Sequence, residues 1–265
     1  MIHRIHILLL VLTSQTCLLA NGKSLINPNL RIVNGSNAGV GEFPFMCALY
    51  YKGFFTCGAT ILSEEWILTA AHCVYNRDES EFSVLTGTND LMDPNGTETY
   101  VSQVIIHEQY QNTIDQVDDI ALLKLTVALE FDSLTQPVTL SQPNGDPPAN
   151  SAVVVMGWGV NQYKGHPMQY LQKATIDLYN NPSCEAIYEP YGINILGTNL
   201  CAGTPQGGIG QCTGDSGGPV VVEGSPTVQV GVVSFSAKPC GIQGFPGVNT
   251  RVSQFIHWIQ NNTDL

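Results

Sequence analysis

Ten consecutive residues, Gly210-Gln211-Cys212-Thr213-Gly214-Asp215-Ser216-Gly217-Gly218-Pro219, combine a hydroxyl and a carboxylate with too much glycine for a regular helix or strand. A serine hydroxyl attacks a carbonyl only when a neighbouring base takes its proton and hydrogen-bond donors already face the oxyanion that forms. Glycine lets backbone N–H groups serve as those donors. Ser216 is therefore a candidate nucleophile, although Gly, Asp, Ser and Pro in a run also make plain turns. Its base must come from elsewhere in the chain. His72 closes the apolar run Thr69-Ala70-Ala71-His72-Cys73, a setting that suits a buried structural histidine as well as a general base. Asp115, Asp118 and Asp119 crowd together just before Ile120-Ala121-Leu122-Leu123. Asp119 adjoins a strand that has to be buried, and a buried carboxylate requires a strong partner, for which an imidazole N–H is suited. Asp115 and Asp118 read as a solvated acidic loop.

The segments that must position these groups are mostly strands. Residues 43–51 and 59–70 are β-branched, aromatic and alternating, with Gly53 and Gly58 as breaks. Residues 100–106, 120–125, 171–178 and 228–233 have the same character, and Val153-Val154-Val155 leads into a tight turn at Gly157-Trp158-Gly159. Val252, Phe255, Ile256 and Ile259 fall at i, i+3, i+4 and i+7, which predicts a C-terminal helix.

A chain of 265 residues with 43% hydrophobic content suits one compact unit, and no internal repeat is visible. A formal charge of -12 argues against nucleic acid or anionic membrane as a partner, since both select for clustered Lys and Arg. Residues 1–20 have the layout of a secretory signal peptide, with Arg4 ahead of the run Ile7-Leu8-Leu9-Leu10-Val11-Leu12. That run is too short for a membrane span, so a soluble, secreted, extracellular product is expected. Asn34, Asn95 and Asn261 head glycosylation sequons. Residues 21–31 are short and polar and read as a propeptide. Cleavage after Arg31 would free an ammonium on Ile32, which can enter a core only where a carboxylate meets it. Asp215 is the candidate partner, although Ile32-Val33 before Asn34-Gly35 also reads as a strand running into a turn. Of eight cysteines, Cys17 leaves with the signal peptide and seven remain, so six can pair in an oxidising compartment.

Ile32-Val33-Asn34-Gly35, Thr69-Ala70-Ala71-His72-Cys73, Asp119-Ile120-Ala121-Leu122-Leu123 and Gly214-Asp215-Ser216-Gly217-Gly218-Pro219 occur in one order, and together they resemble a chymotrypsin-family serine endopeptidase. The resemblance covers residues 32–265. It implies an all-β fold of two packed six-stranded antiparallel β-barrels with a C-terminal α-helix, His72 and Asp119 coming from the first barrel and Ser216 from the second. In that mechanism His72 takes the Ser216 proton and returns it to the leaving amine, while Asp119 holds the imidazole tautomer. The N–H groups of Gly214 and Ser216 would form the oxyanion hole. The resemblance also implies three disulfides, Cys57 with Cys73, Cys184 with Cys201 and Cys212 with Cys240. Cys47 is left as a buried free thiol in an apolar strand.

By the same resemblance the S1 pocket is bounded by Gly210 at its base, Gln211 beside it, Ser236 on one wall and Gly247 near the floor. None carries a charge, so a buried Lys or Arg would lack a counter-ion there. Large apolar or aromatic P1 residues are expected, as in chymotrypsin-like or collagenolytic arthropod enzymes. Gln211 and Ser236 replace smaller residues found in many relatives and would narrow the pocket toward smaller or amide side chains. Thr88 stands where trypsin-like relatives bring a calcium-binding Glu, so neither metal nor cofactor is expected. Phe55 and Ala48 stand where some zymogens have the His and Ser that hold the buried Asp. Expected partners are protein or peptide substrates, an activating trypsin-like protease and protein protease inhibitors, with the product a monomer. The alternatives are elastase-like specificity, a cascade protease, or a binding protein that kept the fold without catalysis; retention of His72, Asp119, Ser216 and Gly214 favours the enzyme, with digestive or broad proteolysis preferred.

Overall fold

A computed structural model of the protein describes residues 35–160 and 165–265. The segments read as signal peptide (1–20) and propeptide (21–31), with Ile32 and Asn34, lie outside the described residues. Among the described residues, twelve of the fourteen strands build two closed barrels. The first contains β2 (Met46–Tyr51), β3 (Phe54–Ile61), β4 (Trp66–Thr69), β5 (Phe82–Thr86), β6 (Thr97–Ile106) and β7 (Ala121–Leu125), closing in the order β2-β3-β4-β7-β6-β5. The second contains β9 (Ala152–Gly157), β10 (Gln172–Leu178), β11 (Asn199–Gly203), β12 (Pro219–Val222), β13 (Val228–Phe235) and β14 (Gly247–Arg251). It runs β10-β11-β14-β13-β12-β9 and closes where β9 pairs with β10, Val155 opposite Ala174. All pairings within the two barrels are antiparallel. Two short strands are added at the rims, β1 (Ser36–Asn37) on β10 and β8 (Thr139–Leu140) parallel to β13.

Period-two patterning explains where each face goes. Along β10, Gln172, Ala174, Ile176 and Leu178 are buried while Thr175 faces solvent. In β9 both faces are apolar and buried. Val153 and Val155 enter the second barrel's interior, whereas Val154 and Met156 join the core that includes the first barrel and the C-terminal helix. Such a strand reads as a continuous run of valines because it serves two cores. Each Val or Leu taken fully from water contributes about 1.5–3 kcal/mol.

The predicted C-terminal helix is present as α3 (Ile256–Asn262), preceded by one 3-10 turn at Val252–Gln254. Val252, Phe255, Ile256 and Ile259 are all buried on the main core. The sequence reading missed α2 (Asn181–Tyr188), in which the Asn180 side chain accepts from Ser183 N–H at 2.8 Å and Pro182 sits in the first turn. Gly58 is not a break but an interior residue of β3. A Cβ there would stand 2.9 Å from Gly218 Cα, so the glycine exists for a close approach between barrels.

Candidate active site

His72 belongs to α1 (Ala71–Val74), a single turn that begins where β4 ends and is pinned to β3 by the Cys57–Cys73 disulfide. Asp119 lies on the segment entering β7 and is completely buried. Its Oδ1 accepts from the His72 backbone N–H at 2.8 Å, and its Oδ2 lies 2.7 Å from His72 Nδ1. The carboxylate facing Nδ1 favours the tautomer that carries its proton there, which leaves Nε2 as the basic nitrogen. The second barrel supplies two more donors. Ser234 Oγ of β13 donates to Asp119 Oδ2 at 2.6 Å, and Thr250 Oγ1 of β14 donates to the Asp119 carbonyl at 2.7 Å. Sequence reasoning missed both residues. The available signal was a hydroxyl directly after apolar valines in Val232-Val233-Ser234, and a weaker one in Val248-Asn249-Thr250, where Asn249 is also polar.

Asp118 corrects the sequence reading, because it is 8% exposed rather than solvated. Its carboxylate lies 3.9 Å from His107 Nδ1, and the His107 ring is held between Phe255 and Trp258. Asp115 is also engaged, accepting from the side chain of Asn194 at 3.0 Å.

Ser216 and His72 line one cavity of about 270 Å³ together with Gln211, Thr213, Phe235, Ser236 and Lys238. No hydrogen bond joins Ser216 Oγ to His72, and His72 Nε2 lies 3.7 Å from Cys73 Sγ. Such contacts are commonly long in unliganded sites and tighten around substrate. The backbone around Ser216 is held from both barrels. Gly58 N–H donates to the Ser216 carbonyl at 2.8 Å, and Gly217 N–H donates to Val233 at 2.8 Å. Asp215 and Gly218 N–H groups also have internal acceptors, whereas those of Gly214 and Ser216 have no backbone acceptor among the described residues. Two N–H donors are thus free beside a hydroxyl.

Asp215 is fully buried, and burial pushes its pKa up to about 6 against the opposing hydrogen bonds from Cys212 and Gly159 N–H, both at 2.8 Å. A Cβ on Gly157 or Gly159 would stand 2.3 or 2.5 Å from Asp215 Oδ1, which explains the two glycines around the buried Trp158. The Cys212–Cys240 disulfide closes this loop, and Cys184–Cys201 ties α2 to β11. Cys47 is free and completely buried, and desolvation drives its thiol pKa upward. A His72 ring nitrogen and the sulfurs of Cys57 and Cys73 come within 4.8 Å of one another, but disulfide sulfurs have no thiolate to offer a metal.

Gly210, Gln211, Ser236 and Gly247 do converge, but Gln211 lies across the floor instead of beside it. Its Nε2 donates to the carbonyls of Phe235 at 3.1 Å and Val248 at 3.3 Å, bridging two strands. The carboxamide packs on Gly247, where a Cβ would fall 2.4 Å from Gln211 Cδ. Beyond it, the space bordered by Gly203, Gly210 and Gly247 is about 10 Å³.

No helix among the described residues is long and apolar enough to cross a membrane. The family model described as Trypsin matches residues 32–259. Trypsin-1 of Astacus astacus is 36% identical over 243 residues, covering 87% of this chain and 99% of that protein. Two closed antiparallel barrels, a family match across nearly all of residues 32–265 and a relative aligned over its whole length agree, and the chain belongs to the trypsin family of serine proteases.

Proposed function

We propose that the chain is a secreted serine endopeptidase with a signal peptide at 1–20, a propeptide at 21–31 and a protease domain at 32–265. His72 is the general base, Asp119 its orienting carboxylate and Ser216 the nucleophile. The observation that carries this reading is the Asp119 carboxylate shared between His72 Nδ1 and Ser234 Oγ, with His72 and Ser216 lining one cavity. His72 Nε2 removes the Ser216 proton as Oγ attacks the scissile carbonyl. The oxyanion is received by the free N–H groups of Gly214 and Ser216, each worth about 3–4 kcal/mol of transition-state stabilisation in sites of this kind. His72 then protonates the leaving amine, and water repeats the sequence on the acyl-enzyme. Organophosphonate labelling of Ser216, abolished in Ser216→Ala, tests the assignment; labelling elsewhere would reject it.

Activation follows from Asp215. The Ile32 ammonium released by a trypsin-like protease cutting after Arg31 neutralises this buried carboxylate and orders the adjoining donors. Arg31→Gln protein should remain inactive after trypsin treatment; full activity without cleavage would overturn the activation step.

At P1, the proposed preference is for large apolar residues, Phe, Tyr and Leu, over Lys and Arg, because no carboxylate lines the cavity among the described residues. A second reading rests on Gln211, whose position across the floor favours shorter or amide P1 side chains and elastase-like behaviour. A P1-varied peptide library separates the two. Gly210→Asp combined with Gln211→Ser should introduce some cleavage after Arg, since Gln211 lies between position 210 and the cavity, and a wild type that prefers Arg would reject both. Broad extracellular proteolysis by a monomer, subject to protein inhibitors, completes the reading.

A further inference from the structure

Lys238 stands in the wall between two cavities, on the segment that leaves β13. The first cavity contains His72 and Ser216, and Lys238 is its sole lining Lys or Arg. The second is a groove of about 540 Å³ lined by Ile114, Tyr191, Ile193, Ile242 and Phe245, and it shares Phe235, Ser236 and Lys238 with the first. Lys238 Nζ donates to Thr213 Oγ1 at 2.9 Å and lies 3.4 Å from Cys240 Sγ, neither of them charged. Desolvation holds its pKa below the ordinary lysine range, with the field of Asp215 opposing.

Of the other five described Lys and Arg residues, three have ion pairs and two have a ring contact. Lys124 meets Glu65, Lys173 meets Glu42 and Arg251 meets Asp146, while Lys52 and Arg77 lie over the Tyr51 ring. Lys238 has no ion-pair partner among the described residues. Lys238 is exposed at the rim of the first cavity, and an ammonium without an ion-pair partner there, in a chain of formal charge -12, can draw an anionic group of a bound peptide to that wall.

We propose that Lys238 recognises a carboxylate side chain at P3 of the substrate and is a specificity-determining residue. The proposal rests on the P1 reading above, in which an apolar P1 side chain occupies the first cavity. In an extended peptide, side chains two residues apart face the same side. The next side chain facing the enzyme after P1 is therefore P3, which meets the wall holding Lys238. The neighbouring groove leaves room for apolar residues further along the peptide.

The test uses peptides identical except for Glu, Gln or Lys at P3, with Phe at P1, and a fourth with Glu at P1 and Gln at P3. For the activated wild type, the expected kcat/KM ratio of P3 Glu to P3 Gln is about five, falling toward one as NaCl rises from about 0.05 to about 0.5 M. Lys238→Met should bring the ratio to one and Lys238→Glu should make P3 Lys the preferred substrate. Because the readout is a ratio within each variant, a general loss of activity cancels. An unchanged ratio in Lys238→Met, or an acid preference confined to P1, would overturn the proposal. The same peptides titrated calorimetrically into Ser216→Ala protein give the ratio in Kd without turnover. Absence of hydrolysis would thus count against the protease assignment, while the Kd ratio would still decide the role of Lys238.

Discussion

At the scale of single residues, two buried carboxylates have opposite circumstances. Asp119 is met by His72 N–H, His72 Nδ1 and Ser234 Oγ, so it sits fully buried with its oxygens occupied. Removing the Ser234 hydroxyl leaves part of that charge unmet, a loss of about 1–3 kcal/mol. Ser234→Ala should therefore lower kcat about tenfold with little change in KM, measured on a fixed peptide substrate. Asp215 has two N–H donors, yet burial still pushes it up to about 6. That is above the ordinary aspartate value of about 4. Between those limits the folded, uncleaved chain keeps a proton that the unfolded chain has lost, so stability falls as pH rises from about 4 to about 6. Calorimetry should show this fall in Arg31→Gln protein and its loss in Asp215→Asn. In the cleaved protein, pairing with the Ile32 ammonium should lower the Asp215 pKa and flatten the same window. A fall of equal size before and after cleavage would count against that pairing.

At the scale of elements, short segments place reactive groups while longer ones supply the core. The turn after β9 has no space for a side chain at position 159, since a Cβ would meet Asp215 Oδ1 at 2.5 Å and Asp215 N at 2.8 Å. Gly159→Ala should displace the Asp215 loop and its free N–H donors, and the expected result is a loss of at least about a hundredfold in kcat/KM, as for an oxyanion donor. Near-native far-ultraviolet circular dichroism should accompany it, since neither barrel is altered. The C-terminal helix provides the contrast. Ile259 is 1% exposed in the main core and does not line the cavity of Ser216. Ile259→Ala should cost about 3 kcal/mol and lower Tm by roughly 10 °C, with kcat/KM unchanged at a temperature where the protein stays folded.

At the scale of the whole molecule, the site is a seam between barrels. His72 and Asp119 come with the first barrel and Ser216 with the second, while Ser234 and Thr250 of the second hold Asp119. Gly58 of the first holds the Ser216 carbonyl in return. Ser234 and Thr250 share one partner residue, so their substitutions should not add. A double-mutant cycle of Ser234→Ala and Thr250→Val, read by thermal unfolding, should show a coupling of about 0.5–3 kcal/mol.

The strands, the terminal helix and the candidate residues His72, Asp119 and Ser216 were legible in the sequence, because periodicity and local residue type are properties of consecutive positions. Resemblance supplied the two barrels and the three cysteine pairs. The rest depended on contacts between segments distant in the chain. The glycines at 58, 157 and 159 read as breaks and turns, but each is required by a neighbour more than fifty residues away. Ser234 and Thr250 looked like ordinary strand residues until the second barrel was set against Asp119. Gln211 looked like one side of a pocket, and only the separation of Phe235 and Val248 across it decides that its amide spans the floor. A sequence records which donors and acceptors a chain carries; which of them face each other across a buried seam is decided when the barrels close and pack, since every buried polar group must then find its partner in space.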